Sequence, residues 1–143
     1  MRNPTRNRLV AGVAVVMMSF LTLIGTAKPV PQVSPPPLQV GLASYYGPGF
    51  HGEVTASGEI FNQYEMVAAH RSLPLGSVVR VTNLENRRRV VLRVIDRGPY
   101  GRNYRKGTII DVSKGAARRL GFIRDGLVPV RVEVLKLPAD ASR

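Results

Sequence analysis
With 143 residues the chain has room for one folded domain once a non-globular N-terminus is set aside. It holds no cysteine, which excludes a disulfide framework, a thiolate metal site and the acylated cysteine of a lipoprotein, and leaves the fold to its hydrophobic core. Basic residues outnumber acidic ones 21 to 9, a net charge of +12 that is still +9 without the three arginines ahead of Lys28, and such a balance favours a polyanionic partner.

Arg2, Arg6 and Arg8 precede an uncharged run over residues 9–25, and Gly25-Thr26-Ala27 follows with small residues at its first and third places. That order predicts a secretory signal peptide over residues 1–27, cut after Ala27. The runner-up, an uncleaved anchor, needs about 20 apolar residues, and the run is shorter, so no stable membrane anchor is expected after cleavage. Residues 28–38 carry Pro29, Pro31, Pro35, Pro36 and Pro37 and predict an extended linker. The domain is expected over residues 39–138, with a tail over 139–143. An exported, unlipidated protein of the periplasm or cell envelope meets wall polymer more than nucleic acid, so the charge predicts no nucleic-acid partner.

Within the domain, short apolar runs punctuated by Gly, Pro and Asn indicate strands. They fall at residues 40–46 and 66–69, then at 78–82 and 90–95, which flank the hairpin turn Asn83-Leu84-Glu85-Asn86-Arg87. Arg87-Arg88-Arg89 sits at that turn, and a solvated hairpin end is at least as good a reading of it as a binding patch. A fifth strand is expected at 109–112. Ser113 can cap a helix over 114–120, with Ala116, Ala117 and Leu120 on one side and Gly121 as its stop. The sixth strand, 128–135, alternates Val128, Val130, Val132 and Val134 with Arg131 and Glu133. Six short strands and one helix predict an all-β fold, a small closed barrel without exposed edges, expected to act as a monomer.

Asp96 follows residues 90–95 and precedes Arg97-Gly98-Pro99. It shares parity with Val90, Leu92 and Val94, so if these face the interior its carboxylate points into the barrel mouth, where desolvation would favour the neutral form a general acid needs. The alternative, a carboxylate that only secures its own turn, is equally compatible with the bare sequence. Glu59, in Thr55-Ala56-Ser57-Gly58-Glu59, and His70, ahead of Arg71, are unspecific alone and gain weight from the company of Asp96. Tyr45 and Tyr46 adjoin Gly47-Pro48-Gly49; one is expected as a sugar platform and the other in the core, because adjacent strand residues point opposite ways. His51 and His70 are the only histidines, no cluster has metal-ligand spacing, and neither a phosphate loop nor a serine triad is supported. No metal or cofactor is expected.

The blocks Gly41-Leu42-Ala43-Ser44-Tyr45-Tyr46, Thr55-Ala56-Ser57-Gly58-Glu59, Ala68-Ala69-His70-Arg71-Ser72-Leu73-Pro74-Leu75-Gly76, Val81-Thr82-Asn83-Leu84-Glu85-Asn86, Asp96-Arg97-Gly98-Pro99-Tyr100 and Ile110-Asp111-Val112-Ser113 resemble the rare lipoprotein A (RlpA) family in that order. The resemblance implies a six-stranded double-psi β-barrel. It also implies a lytic transglycosylase that cuts between N-acetylmuramic acid and N-acetylglucosamine in peptidoglycan, preferring strands stripped of stem peptides. On it Asp96 falls on the catalytic acid, and Glu59 and His70 on residues that support activity. Tyr45, Tyr46, Thr55, Arg71, Arg97 and Arg102 are the expected substrate contacts. The chain has Tyr45-Tyr46, Ser57-Gly58-Glu59 and Ile95-Asp96 where the family usually has Trp-Tyr, Asn-Gly-Glu and Asn-Asp. A non-catalytic wall-binding or scaffolding module using the same groove is the alternative function.

Overall fold
The computed structural model describes residues 38–142, and its six strands follow the short apolar runs seen in the sequence, with the two-residue alternation of valines clearest in the last of them. They are β1 (Leu38–Tyr45), β2 (Val67–His70), β3 (Val78–Asn83), β4 (Arg89–Asp96), β5 (Thr108–Val112) and β6 (Val128–Lys136). All six expected strands are present, with ends displaced by at most two residues. The expected signal peptide and all but the last residue of the expected linker lie outside the described residues; that last residue, Leu38, opens β1. Within the expected tail, Ala139–Ser142 forms a 3-10 turn.

The strands close into a barrel in the order β1-β5-β2-β4-β3-β6, with β6 returning to β1. β1/β5 and β2/β4 are parallel and the remaining pairs antiparallel. Val79, Val81, Leu92, Val94, Ile110, Val112, Val130 and Val132 fill the interior, all essentially excluded from solvent. Each such side chain contributes roughly 1.5–3 kcal/mol by leaving water.

Two short α-helices are present among the described residues, α1 (Gly101–Arg105) and α2 (Lys114–Leu120). α2 is the one expected. The Ser113 hydroxyl accepts from the Ala116 N–H and donates to the Glu65 carbonyl, Gly121 ends the helix at φ 77, and Ala116, Ala117 and Leu120 close one side of the core. The far end is finished by the hairpin turn, since the side-chain amides of Asn83 and Asn86 both donate to the Leu120 carbonyl at 2.9 Å. That gives the Val81–Asn86 block a structural meaning: it supplies acceptor-seeking amides to carbonyls that a helix end leaves unpaired. α1 was not expected. Its five residues bury no side chain and carry no apolar period, so nothing in its pattern distinguishes it from a loop.

Candidate functional site
A row of residues crosses four strands of the barrel wall. Ser44 of β1 is paired with Asp111 of β5, Asp111 with Ala69 of β2, and Ala69 with Asp96 of β4. The register slips between Ala68 and Ala69, which pair with Val94 and Asp96 and leave Ile95 as an extra residue. The slip corrects the parity argument. Val90, Leu92 and Val94 do face the interior, but Ile95 packs with Phe61, Val67 and Tyr46 in a small second cluster. Asp96 comes out beside Tyr46, in an outer groove rather than in the barrel mouth.

The groove is two adjoining cavities that share Tyr46, Phe50 and Asp96. One, of about 390 Å³, continues along Glu53, Val54 and Thr55. The other, of about 320 Å³, continues along Tyr100, Asn103 and Asp111. Asp96 Oδ1 accepts from the backbone N–H groups of Ala56 (2.9 Å) and Arg97 (2.8 Å), while Oδ2, among the described residues, accepts only from the Tyr46 hydroxyl, at 2.8 Å. Burial, reinforced by the bond to Asp96, drives the Tyr46 pKa well above its ordinary value and keeps that hydroxyl a donor.

Glu59 and His70 stand one step away. Glu59 is exposed and bonds Arg93 and the Ser57 hydroxyl, and the Arg93 bond holds its pKa below the usual carboxylate range. It braces a loop that Thr55 closes on the Glu59 carbonyl through both its amide (2.8 Å) and its hydroxyl (2.9 Å). The same loop delivers the Ala56 N–H to Asp96, and the Ser57 N–H to the Ile95 carbonyl at 3.0 Å. His70 is 2% exposed. Its Nδ1 accepts from the backbone N–H groups of Ser72 (3.2 Å) and Leu73 (3.0 Å), so Nε2 carries the proton and donates to Gln39 Oε1 at 2.9 Å. Burial, with the nearby Arg97 guanidinium, lowers the His70 pKa to about 4. The turn that His70 holds presents the His70 and Leu73 carbonyls to Arg97 Nη1, at 3.1 and 2.7 Å.

The two tyrosines point to different sides of β1. Tyr45 packs edge-on against Phe122 and donates to the Ile123 carbonyl, whereas Tyr46 faces the groove against Phe50 and Phe61. Arg71 lies over the Tyr104 ring at 3.7 Å and is farther from the Tyr100 ring, at 5.5 Å, and Arg102 is exposed on α1. The exposed rings on the groove are Phe50 and Tyr100, neither of which was singled out from the sequence.

Asp111 was also missed. It accepts from the Ser44 hydroxyl, which Asn103 bonds in turn at 3.3 Å, and burial raises its pKa, aided by the charge of Asp96 and opposed by the Ser44 bond. Gly98, at φ 147, lies against it: a Cβ there would come within 3.5 Å of both Asp111 Oδ2 and the Ala69 Cβ. A lone carboxylate inside the apolar strand Thr108–Val112 was a signal the sequence offered.

Residues 38–132 match the family described as lytic transglycolase. The chain is 52% identical over 95 residues to the endolytic peptidoglycan transglycosylase RlpA of Campylobacter jejuni, a match covering 66% of this chain and 33% of that one. It is 58% identical over 97 residues to a probable endolytic peptidoglycan transglycosylase RlpA of Nostoc sp., covering 66% and 25%. The matched segment is thus a third or less of the length of these relatives. Among solved structures, Streptomyces papain inhibitor has a TM-score of 0.55 at 20% identity, covering 70% of this chain and 96% of its own. An expansin from Clavibacter michiganensis has a TM-score of 0.54 at 22% identity, covering 71% and 52%. These two likenesses establish the fold, a six-stranded double-psi β-barrel.

Proposed function
The chain belongs to the lytic transglycolase family, and from that footing we propose that it is an exported endolytic peptidoglycan transglycosylase. Its substrate is the bond between N-acetylmuramic acid and N-acetylglucosamine, preferentially in peptide-stripped strands. The observation that carries the reading is Asp96, a groove carboxylate with one oxygen saturated by two backbone N–H groups and the other bonded by the Tyr46 hydroxyl.

In this reading Oδ2 handles the proton. Neutral Asp96 donates it to the glycosidic oxygen as the bond to the muramyl anomeric carbon breaks. The resulting carboxylate takes the proton of the muramyl C6 hydroxyl as that oxygen attacks the same carbon, giving a 1,6-anhydro ring. A hydroxyl tethered within the substrate replaces the water and the second carboxylate of ordinary glycoside hydrolysis. Tyr46 steadies Oδ2, and Phe50 and Tyr100 offer ring faces to sugars on either side. Glu59 and His70 act as positioning residues: Glu59 holds the loop that supplies the Ala56 N–H, and His70 holds the carbonyls that fix Arg97 next to Asp96. Thr55 braces the groove floor, while Arg71 and Arg102 extend cationic groups toward the lactyl carboxylate of stripped strands. The protein works as a monomer in the periplasm or cell envelope, without a cofactor.

Asp96→Asn, assayed on purified peptide-stripped glycan by mass spectrometry, should lose 1,6-anhydro products by about 10²–10⁴-fold with the fold intact. Residual cleavage in proportion to the folded fraction would instead make Asp96 a turn residue. Absence of anhydro sugars from the unmutated protein would leave a wall-binding module.

A further inference from the structure
The wall opposite the groove holds a second concavity, of about 460 Å³, lined by Thr82, Asn83, Leu84, Arg87, Arg89 and Arg131. Strand register builds it. Val79 and Val81 turn into the core, so Thr82 faces outward, and it stands between Arg89 on β4 and Arg131 on β6. Neighbouring strands lie about 4.8 Å apart, which sets two guanidinium-bearing residues on either side of one hydroxyl, close enough for both to reach a single ligand. Arg87, held at φ 64 in the hairpin turn, adds a third.

Among the described residues a single carboxylate ion-pairs with this cluster. Glu133 lies 3.8 Å from Arg131 and 3.9 Å from Arg80 and is divided between them. Arg87 and Arg89 join no ion pair among the described residues. Arg89 and Arg131 flank Thr82 from either side and Arg87 lines the same concavity, so an anion placed among them is favoured. A second observation points the same way. Thr82 is 8% exposed, yet its hydroxyl is buried without a hydrogen-bond partner, and the Nε of Arg131, also without a hydrogen bond, has Glu133 no nearer than 3.8 Å, whereas buried polar groups are ordinarily satisfied.

We propose that this concavity binds a phosphoryl-bearing anion. The donor set decides the class. Three planar guanidinium forks around a hydroxyl present more N–H and O–H groups than the two oxygens of a carboxylate accept, and a tetrahedral phosphoryl group meets them with more oxygens and more charge. The group is carried alike by a phosphorylated polymer and by a lipid headgroup. The site is separate from the Asp96 groove, so its occupancy fixes where the barrel rests without blocking the glycan.

The test titrates the isotope-labelled 143-residue chain with glycerol 3-phosphate, and with acetate at matched ionic strength, while backbone amide resonances are followed. Saturable shifts should centre on Thr82, Arg89 and Arg131 and exceed those with acetate. Arg89→Gln and Arg131→Gln should each weaken binding about tenfold, with melting temperature and glycan cleavage unchanged. Equal responses to acetate, or unaltered affinity in both variants, would overturn the assignment. Co-sedimentation with phosphatidylglycerol vesicles that glycerol 3-phosphate competes away supports the site with a lipid source. Soluble binding without co-sedimentation supports it with a polymer source.

Discussion

Acidification should loosen this barrel through one buried imidazole. His70 Nδ1 faces two backbone donors, so protonating it sets a third donor against them. The unfolded chain takes up this proton below about pH 6.5 and the folded chain only near its lowered pKa of about 4. Between those limits the unfolded state binds more protons, so stability falls as pH falls and is fully present above 6.5. At 1.36 kcal/mol per tenfold, the loss between pH 7 and 4.5 is about 2 kcal/mol, or roughly 10 °C in Tm for a domain of this size. Asp111 pulls the other way, because its pKa is raised by burial, so the measurement needs a reference. His70→Asn supplies one, since an amide oxygen can still accept from Ser72 and Leu73 without titrating in this range. Thermal melts of both proteins from pH 7 to 4.5 should diverge, with the native chain losing more. Parallel curves would refute the reasoning.

Asp111→Asn should raise Tm more at pH 7 than at pH 4, because an ionised carboxylate with a raised folded pKa destabilises the fold as pH rises above its unfolded value. The same variant should cleave glycan more slowly, as expected where a site is kept at some cost in stability. Gly115→Ala, a change that ordinarily favours a helix, should cost about 1–3 kcal/mol in denaturant melts, because the new Cβ would land 2.6 Å from the Tyr64 carbonyl oxygen. Gly41→Ala meets the Ile109 side chain at 2.6 Å and a backbone oxygen, of Gly107, only at 3.2 Å, and should cost less. Asn83→Ala should lose about 1–3 kcal/mol, more than Asn86→Ala, since each also accepts a backbone N–H, from Glu85 and Arg88, but Asn83 is buried and Asn86 is exposed.

The strands and α2 were legible because their signals are local: alternate valines, a serine cap and a terminal glycine. Helix α1 was not, since a five-residue turn with no buried face leaves no periodic trace. For the site, motif order singled out Asp96, Glu59 and His70, but their arrangement depends on contacts remote in sequence. The slip at Ile95 exists only against β2 and cannot be read from the alternation of β4. The partners of His70 include Gln39, 31 residues earlier. Asp111 was readable in principle as a charge inside an apolar strand. It passed unnoticed because its relation to Asp96 runs sideways through Ala69, across three strands.

Barrel closure bears on how the chain reaches this state. β1, the first described strand, finds its neighbours only in β5 and β6, the last two. None of its ladder bonds can form until about 65 to 95 residues further along the chain have become available. Pairings of such long separation slow folding, because the entropy of loop closure must be met before any contact rewards it. A nascent or translocating segment that stops short of Val128 therefore lacks the strand that seals the ring, and the order in which this sequence emerges cannot be the order in which it folds.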